Sequence, residues 1–452
     1  MNDILEIYAV LEIYQAALKS ADPYAAVKKA LYRKEGRLTV NGTEYDLDAF
    51  SKVVVIGAGK GTAPMARAVE DIVGNRLDDG IIIVKYGHAG RLRKVRQVEA
   101  GHPVPDLKGL RGTAALLGLI GKADAGTLII CLLSGGGSAL LVSPVEGVTL
   151  EDKQRTTELL LKSGATIGEL NTVRKHLSGV KGGRLAVTAC KASIVTLALS
   201  DVIDDRPDVI ASGPTVPDNS TFEEALEIVT RLIEKLGPTE TFPKRALDHL
   251  FSGAGDRAPE TPKEGDPCFK NKEAFIVGSL KQAISAAWEK AKALGFETKI
   301  VTDRLQGEAK DAAVYLAGIA GKAKKSVKGG RPVCLISGGE TTVTVKGNGL
   351  GGRNQELALA FAAAIEGKEG ITLLSAGTDG TDGPTDAAGA VVDGRTIKTA
   401  KRLGLDPEAY LRNNDSYTFF KKLDARSGGK AHLLTGPTGT NVMDVQIMLV
   451  EK

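Results

Sequence analysis

The chain has 452 residues, too many for one hydrophobic core, so two domains are expected, and an apolar content of 42% suffices to build them. The net charge of +4 is small for this length and no basic run with interleaved aromatics occurs, which argues against nucleic acid as the main partner. No apolar run is long enough to span a bilayer, and Asp3 and Glu6 stand where a signal peptide would be apolar, so a soluble, cytoplasmic chain is the expectation. Charged residues reach 25% while Gln, Asn, Cys and Met are sparse, which leans toward a thermophilic source. Cys131, Cys190, Cys268 and Cys334 form no C-x-x-C pair and read as buried free thiols in a reducing compartment.

In chain order, Ile4 to Tyr14 and Ala25 to Leu31 carry apolar residues at helical spacing, giving two helices broken near Asp22-Pro23. Leu38 to Gly42 reads as a hairpin. Lys52 to Lys60 is a buried strand running into Gly57-Ala58-Gly59-Lys60-Gly61 and then a helix. The glycines miss the dinucleotide spacing G-x-G-x-x-G, and the next strand ends in Lys85 where a nicotinamide site wants an acid. Gly61 after Lys60 also departs from a Walker A loop. Lys60 in a glycine turn at a helix start suits an anion, or is a solvated surface lysine.

Gly101-His102-Pro103 is a rigid loop whose histidine reads as structural or as a donor to a ligand oxygen. Leu107–Ile120 is a helix. Leu128 to Leu133 is a buried strand breaking into Ser134-Gly135-Gly136-Gly137-Ser138, a turn that bares backbone N–H groups for an anion. Asn171 to Ser178 and Lys181 to Arg184 are dense in cations, either a solvated helix face or a clamp for a phosphate or carboxylate. Ser193 to Ser200 is another buried strand, with Asp201, Asp204 and Asp205 placed as a base, as Mg²⁺ ligands or as an ordinary polar loop.

Residues 241–272 are rich in Pro, Gly and charge and read as the connection between domains. A new strand begins at Phe275. Val333 to Glu340 repeats the strand-to-Ser-Gly-Gly pattern of Ser134, which suggests two α/β lobes with equivalent loops. Gly347 to Gly352 reads as a mobile loop delivering the Arg353 guanidinium to a phosphate. Ile371 to Asp386 is a strand ending in an acidic glycine loop that suits a cation or a polyhydroxyl ligand. Leu433 to Asp444 is a strand and turn, and Val445–Val450 closes the sheet as its last strand.

In this order the motifs Gly57-Ala58-Gly59-Lys60, Gly101-His102-Pro103, Ser134 to Ser138, Asn171 to Lys175, Lys181 to Arg184, Ser200-Asp201, Ser212 to Thr215, Ser337 to Glu340, Gly352 to Glu356, Gly377 to Gly380 and Gly436 to Asp444 resemble the class II glycerate 2-kinases, whose C-terminal part is called MOFRL. The resemblance covers about residues 3–450. One departure is Leu280, where the family often has Asn.

The resemblance implies ATP- and Mg²⁺-dependent phosphorylation of D-glycerate to 2-phosphoglycerate. It implies two α/β/α domains, 1–240 and a MOFRL-type 273–452, with mostly parallel sheets and the active site between them. Lys60 and Arg353 would then neutralise the transferring phosphate and Asp201 would take the hydroxyl proton. Gly59, Ser134, Gly135, Gly136, Gly137, Ser138, Asn171, Arg174, Lys175, Asn354 and Glu356 would hold carboxylate or phosphate. Gly338, Gly339, Glu340, Thr378, Asp379, Thr438 and Asn441 would hold nucleotide, and Asp204 and Asp382 the metal. A homodimer is left open. The runner-up is an NAD(P)H-dependent hydroxypyruvate reductase, and a non-catalytic sensor of sugar acids or nucleotides is third.

Overall fold

The computed structural model describes residues 2–236, 240–327 and 331–452. The chain divides into two compact units, Pro23–Val277 and Met1–Asp22 together with Gly278–Lys452.

In the Pro23–Val277 unit, β1 (Leu31–Lys34), β2 (Arg37–Val40) and β3 (Thr43–Asp46) form a small antiparallel sheet. The β2–β3 turn is made by Asn41 and Gly42, both at positive φ, as a tight hairpin requires. The main sheet is built from β4 (Lys52–Ala58), β5 (Asp79–Lys85), β6 (Arg96–Ala100), β7 (Thr127–Leu133), β8 (Ser193–Leu199) and β9 (Lys272–Gly278), in the order β6-β5-β4-β7-β8-β9. Strands β4 to β8 pair in parallel. Every residue of β7 is buried, because both faces of the sheet are covered.

Alternation divides the apolar residues between two cores. Val53, Val55, Leu128 and Ile130 pack with Met65 and Val69 of the helix Thr62–Val73. Val54, Ile56, Ile129 and Cys131 pack with Leu116 and Ile120 of the helix Leu107–Ile120. From β4 the chain runs outward through β5 and β6, then returns to β7 on the other side of β4. The carboxyl ends of β4 and β7 therefore flank the point where the strand order reverses, the usual ligand position in such sheets.

A third cluster joins the helices Leu150–Lys162, Ile167–His176, Phe222–Ile233 and Lys244–Ala254. Phe242, Ala246 and Leu250 belong to it, so the start of the expected connecting segment 241–272 is part of this unit's packing. The segment then ends in β9, an edge strand of the same sheet, so the boundary falls after Val277. Cys190 and Cys268 form a disulfide across 78 residues, which corrects the reading of four free thiols. Cys131 and Cys334 are free and buried.

In the second unit the helix Asn2–Ser20 packs through Val10, Ile13, Tyr14 and Ala17, and the Tyr14 hydroxyl donates to Gly377 O at 2.6 Å. The N-terminal helix thus belongs with the C-terminal half of the chain. The sheet comprises β10 (Glu297–Leu305), β11 (Val333–Gly339), β12 (Ile371–Gly377), β13 (Gly389–Asp393), β14 (His432–Leu433) and β15 (Asp444–Val450), in the order β10-β11-β15-β12-β13-β14. Only β10 and β11 pair in parallel, so this sheet is mixed where a mostly parallel one was expected. β15 lies in the middle of it, antiparallel to both neighbours. Its residues are buried on both faces, which an edge position would not allow.

A count of free thiols tests the disulfide. Unfolded without reductant, the protein should react with a thiol reagent at two cysteines and, after reduction, at all four. Four from the start would contradict the pairing. Replacing Cys268 by Ser should lower stability by about 2–4 kcal/mol, since a bridge spanning a long loop restricts the unfolded chain.

Candidate active site

Two turns meet at the carboxyl ends of β4 and β7. Gly61 N–H donates to Ser134 Oγ at 2.9 Å, and Lys60 N–H donates to Gly135 O at 2.9 Å. Gly59 N–H is engaged by Ile83 O. Gly59 sits at φ 147° with Ser134 Oγ only 2.1 Å from where a Cβ would stand, so its glycine is needed for close approach. Gly59 and the buried Ser134 are therefore struts, and not the ligand contacts expected of them. Gly137 likewise donates to Ser134 O and packs on Ala211. The backbone N–H groups of Gly135, Gly136 and Ser138, by contrast, donate to no atom among the described residues. With Gly136 left-handed at φ 85°, they form a concave run of donors suited to an oxyanion.

The walls of this turn are cationic. Lys60 and Arg174 are partly accessible, and among the described residues no carboxylate pairs with either. Arg174 donates to Ser138 O at 3.3 Å, and burial holds its pKa below the ordinary arginine value. Lys181, fully buried, donates to Ser138 O at 2.7 Å and Leu141 O at 3.1 Å. Burial, with Arg174 and Lys153 nearby, pushes its pKa far down. Lys153 donates to Leu177 O, and burial, with Arg174 and Arg184 nearby, brings its pKa to about 7. Lys175 differs: it is buried against Asp218 at 2.9 Å, an ion pair within the fold, which corrects its reading as a ligand contact. Ser138 Oγ lies 2.9 Å from Ser212 Oγ, which donates to Asn171 Oδ1 at 3.3 Å. Ala211 and Ser212 hold left-handed φ of 51° and 62°, a costly conformation for residues with a Cβ. Asp201 is half-buried just beyond β8, and Asp204 is exposed at φ 69°.

In the other unit, Ser337-Gly338-Gly339 is not a turn. β11 continues through Gly339, paired to Asp444 of β15, and a Cβ on Gly339 would meet Leu305 O at 2.1 Å. These glycines admit neighbouring strands, so the expected nucleotide loop is part of the sheet. Asp444 takes Arg353 Nε at 2.6 Å and Nη2 at 3.0 Å, while Glu340, partly exposed, takes Nη1 at 2.7 Å. Burial opposes the guanidinium charge, but Asp444 and Glu340 outweigh it and raise the Arg353 pKa. Burial raises the Glu340 pKa and Asp444 adds to this, against the pull of Arg353.

Asn354 and Glu356, expected to touch substrate, are buried instead: Asn354 Oδ1 accepts from Ser375, and Glu356 accepts from Asn414 Nδ2. The Gly347–Gly352 loop is clamped, since Lys346 N and Gly347 N donate to Asn414 Oδ1 and Leu350 N donates to Asp415 Oδ1. Its glycines permit close contact with Asn413, Asp415, Ser416 and Asp382. Thr378 and Thr438 bind backbone groups of Met443 and Thr378 respectively, and Asn441 accepts from Met443 N. Asp379 is half-buried and accepts from Thr381 N.

The two expected metal ligands differ in setting: Asp204 is exposed beyond β8, and Asp382 is taken up by the fold. Asp382 is buried with its carboxylate accepting Asn354 N, Gln355 N and Gln355 Nε2 at the helix Arg353–Ala364, and burial raises its pKa to about 6. Among the described residues no three His, Cys, Asp or Glu side chains are grouped to hold a metal. No described helix is long and apolar enough to cross a membrane. The sequence reading missed Lys153 and the Asn413–Asp415 clamp, and named Ser212 only as part of a loop motif. For Lys153 the available signal was its position four residues after Thr149, on the face that carries Leu160.

Residues 9–250 match the family described as "Domain of unknown function (DUF4147)", and residues 333–444 match the "MOFRL family". The chain is 45% identical to a D-glycerate 2-kinase of Thermotoga maritima, over 97% of each chain. It is 43% identical to a glycerate 2-kinase of Pyrococcus horikoshii, over 99% of this chain and 98% of the other. It is also 42% identical to an Agrobacterium vitis protein named putative hydroxypyruvate reductase, over 88% of this chain and 99% of the other. The crystal structure of a glycerate kinase from Thermotoga maritima superimposes with a TM-score of 0.84 at 43% identity, covering 98% of this chain and 99% of that one.

The buried lysines predict a pH effect. Lys153 titrates near 7 when folded and near 10.5 when unfolded, so between these values the unfolded chain holds a proton that the folded chain has released. Stability should therefore rise with pH across this window. Urea unfolding at the two ends should show a smaller rise for Lys153→Met than for the wild type. An equal rise in both would contradict the assignment.

Proposed function

The chain belongs to the DUF4147 and MOFRL family, and from that membership we propose that it phosphorylates D-glycerate at its C2 hydroxyl, with MgATP as the donor. The glycerate C2 oxygen bonds to the γ-phosphorus, the bond to the β–γ bridging oxygen breaks, and ADP leaves with that electron pair. Such a transfer needs chiefly positioning and charge stabilisation. The observation that carries the reading is the turn at Gly135, Gly136 and Ser138, whose free N–H groups stand with Lys60 and Arg174 where the strand order reverses.

In this reading the turn and the two cations hold an anionic oxygen of substrate or nucleotide. Asp201, at the end of β8, receives the hydroxyl proton. Within its own unit Arg353 is a candidate anion contact: Asp444 fixes two of its nitrogens, and Glu340, which accepts from Nη1, can yield that position to an anionic oxygen. A Mg²⁺ ion brought by the nucleotide would offset phosphate charge and would need few protein ligands beside phosphate oxygens.

Incubating the protein with D-glycerate, ATP and Mg²⁺ and reading the product by phosphorus NMR tests this, with NADH and hydroxypyruvate in a parallel assay. 2-Phosphoglycerate is expected. NADH oxidation without phosphoglycerate would overturn the reading. Lys60→Met should lower kcat by about 10²–10³ with folding unchanged, and near-normal turnover would remove Lys60 from the mechanism.

A further inference from the structure

The imidazole of His102 lies directly against Gly136. A Cβ on Gly136 would stand 2.9 Å from His102 Cδ2 and 3.1 Å from Nε2. The ring is partly accessible, and among the described residues neither of its nitrogens makes a hydrogen bond. The groups that face it are cationic or basic: Lys60 from the turn after β4, Lys85 and His88 from the end of β5, and Arg174 from the helix Ile167–His176. The nearby Asp106 is engaged elsewhere, accepting from Gly109 N and the Tyr86 hydroxyl. Of the charged groups that face the ring, Lys60, Lys85 and Arg174 can donate but not accept. Half-buried polar groups generally find partners. Here the missing partner is an acceptor, and the surrounding positive charge selects an anionic one.

We propose that His102 is a further ligand-contacting residue, its ring N–H donating to the same oxyanion, carboxylate or phosphate, that the Gly135, Gly136 and Ser138 N–H groups hold. The inference rests on the kinase reading above and names one more contact of that site. Burial, with Lys60 and Lys85 nearby, lowers the His102 pKa to about 4, so near neutral pH the ring is uncharged and carries one N–H. His102 thus contributes direction where Lys60 and Arg174 contribute charge. A planar donor against a glycine admits an oxygen at one angle, which separates a trigonal carboxylate or tetrahedral phosphate from a diffuse counter-ion.

Two substitutions separate this contact from packing: His102→Phe fills the space without a donor, and His102→Gln keeps a donor. KM for D-glycerate and KM for MgATP, measured apart, identify which oxyanion is held. His102→Phe should raise one of the two KM values about tenfold, the loss of one hydrogen bond to a charged group. The other KM and the urea midpoint should hold, and His102→Gln should recover most of the loss. Unchanged KM values in His102→Phe would overturn the proposal, as would equal losses in both variants with a lowered urea midpoint. Should the wild type form no phosphoglycerate, the kinase reading fails by itself. Titration with inorganic phosphate then decides the contact: weaker binding by His102→Phe supports it, and equal binding overturns it.

Discussion

The hydrogen bond from Gly61 N–H to Ser134 Oγ is the constraint on which the Pro23–Val277 site depends. Together with Lys60 N–H on Gly135 O it locks the turn after β4 to the turn after β7. The first turn thereby gives up its own donors to the fold, while the second keeps the donors of Gly135, Gly136 and Ser138 free. One turn is the scaffold and the other, in the proposed reading, the receptor, although both read as glycine turns at strand ends. The parallel sheet makes this possible by bringing the two strand ends side by side in register, Ala58 opposite Leu133.

Around that receptor the fold accepts an electrostatic cost. Lys153 and Lys181 are buried on carbonyl oxygens and Arg174 is half-buried on another, with no carboxylate paired to any of the three among the described residues. Burial disfavours the charged form, so the Lys153 and Lys181 pKa values fall, whereas the Arg174 guanidinium stays charged and an arriving anion would relieve part of its desolvation cost. The left-handed Ala211 and Ser212 are a second strained feature at the same place. The other unit has the opposite balance: Asp444, Glu340 and the nearby Asp382 surround one guanidinium, and Arg353 is held by its neighbours before any ligand arrives.

Much of this was legible in the chain. The buried strands, the Asn41-Gly42 hairpin, the break at Asp22-Pro23 and the anion turn follow from local pattern and turn chemistry. Lys60 was singled out by its glycine turn at a helix start, and Arg174 by a segment dense in cations. The adjacent Arg174 and Lys175 could not be told apart by sequence, since about 100° of helix rotation separates the open site from the Asp218 pair. The letters Ser-Gly-Gly occur at Ser134 and at Ser337, but β15 pairs alongside the second copy and keeps it extended. That partner arrives from more than a hundred residues away. Long sequence separation likewise hides the central place of β15, the docking of the N-terminal helix and the Cys190–Cys268 pairing. The glycines of 347–352 were read as mobility, when the close approach of Asn413, Asp415 and Asp382 is what requires them.

The central claim is that free N–H groups and unpaired cations make one oxyanion site at the end of β7. Calorimetric titration of the protein with inorganic phosphate tests it most directly, alongside Lys60→Met and Arg174→Met variants shown by circular dichroism to be folded. The account predicts one phosphate per chain for the wild type, with binding weakened at least about tenfold in each variant, as expected for the loss of a charge-assisted contact. Equal binding by all three proteins would contradict it.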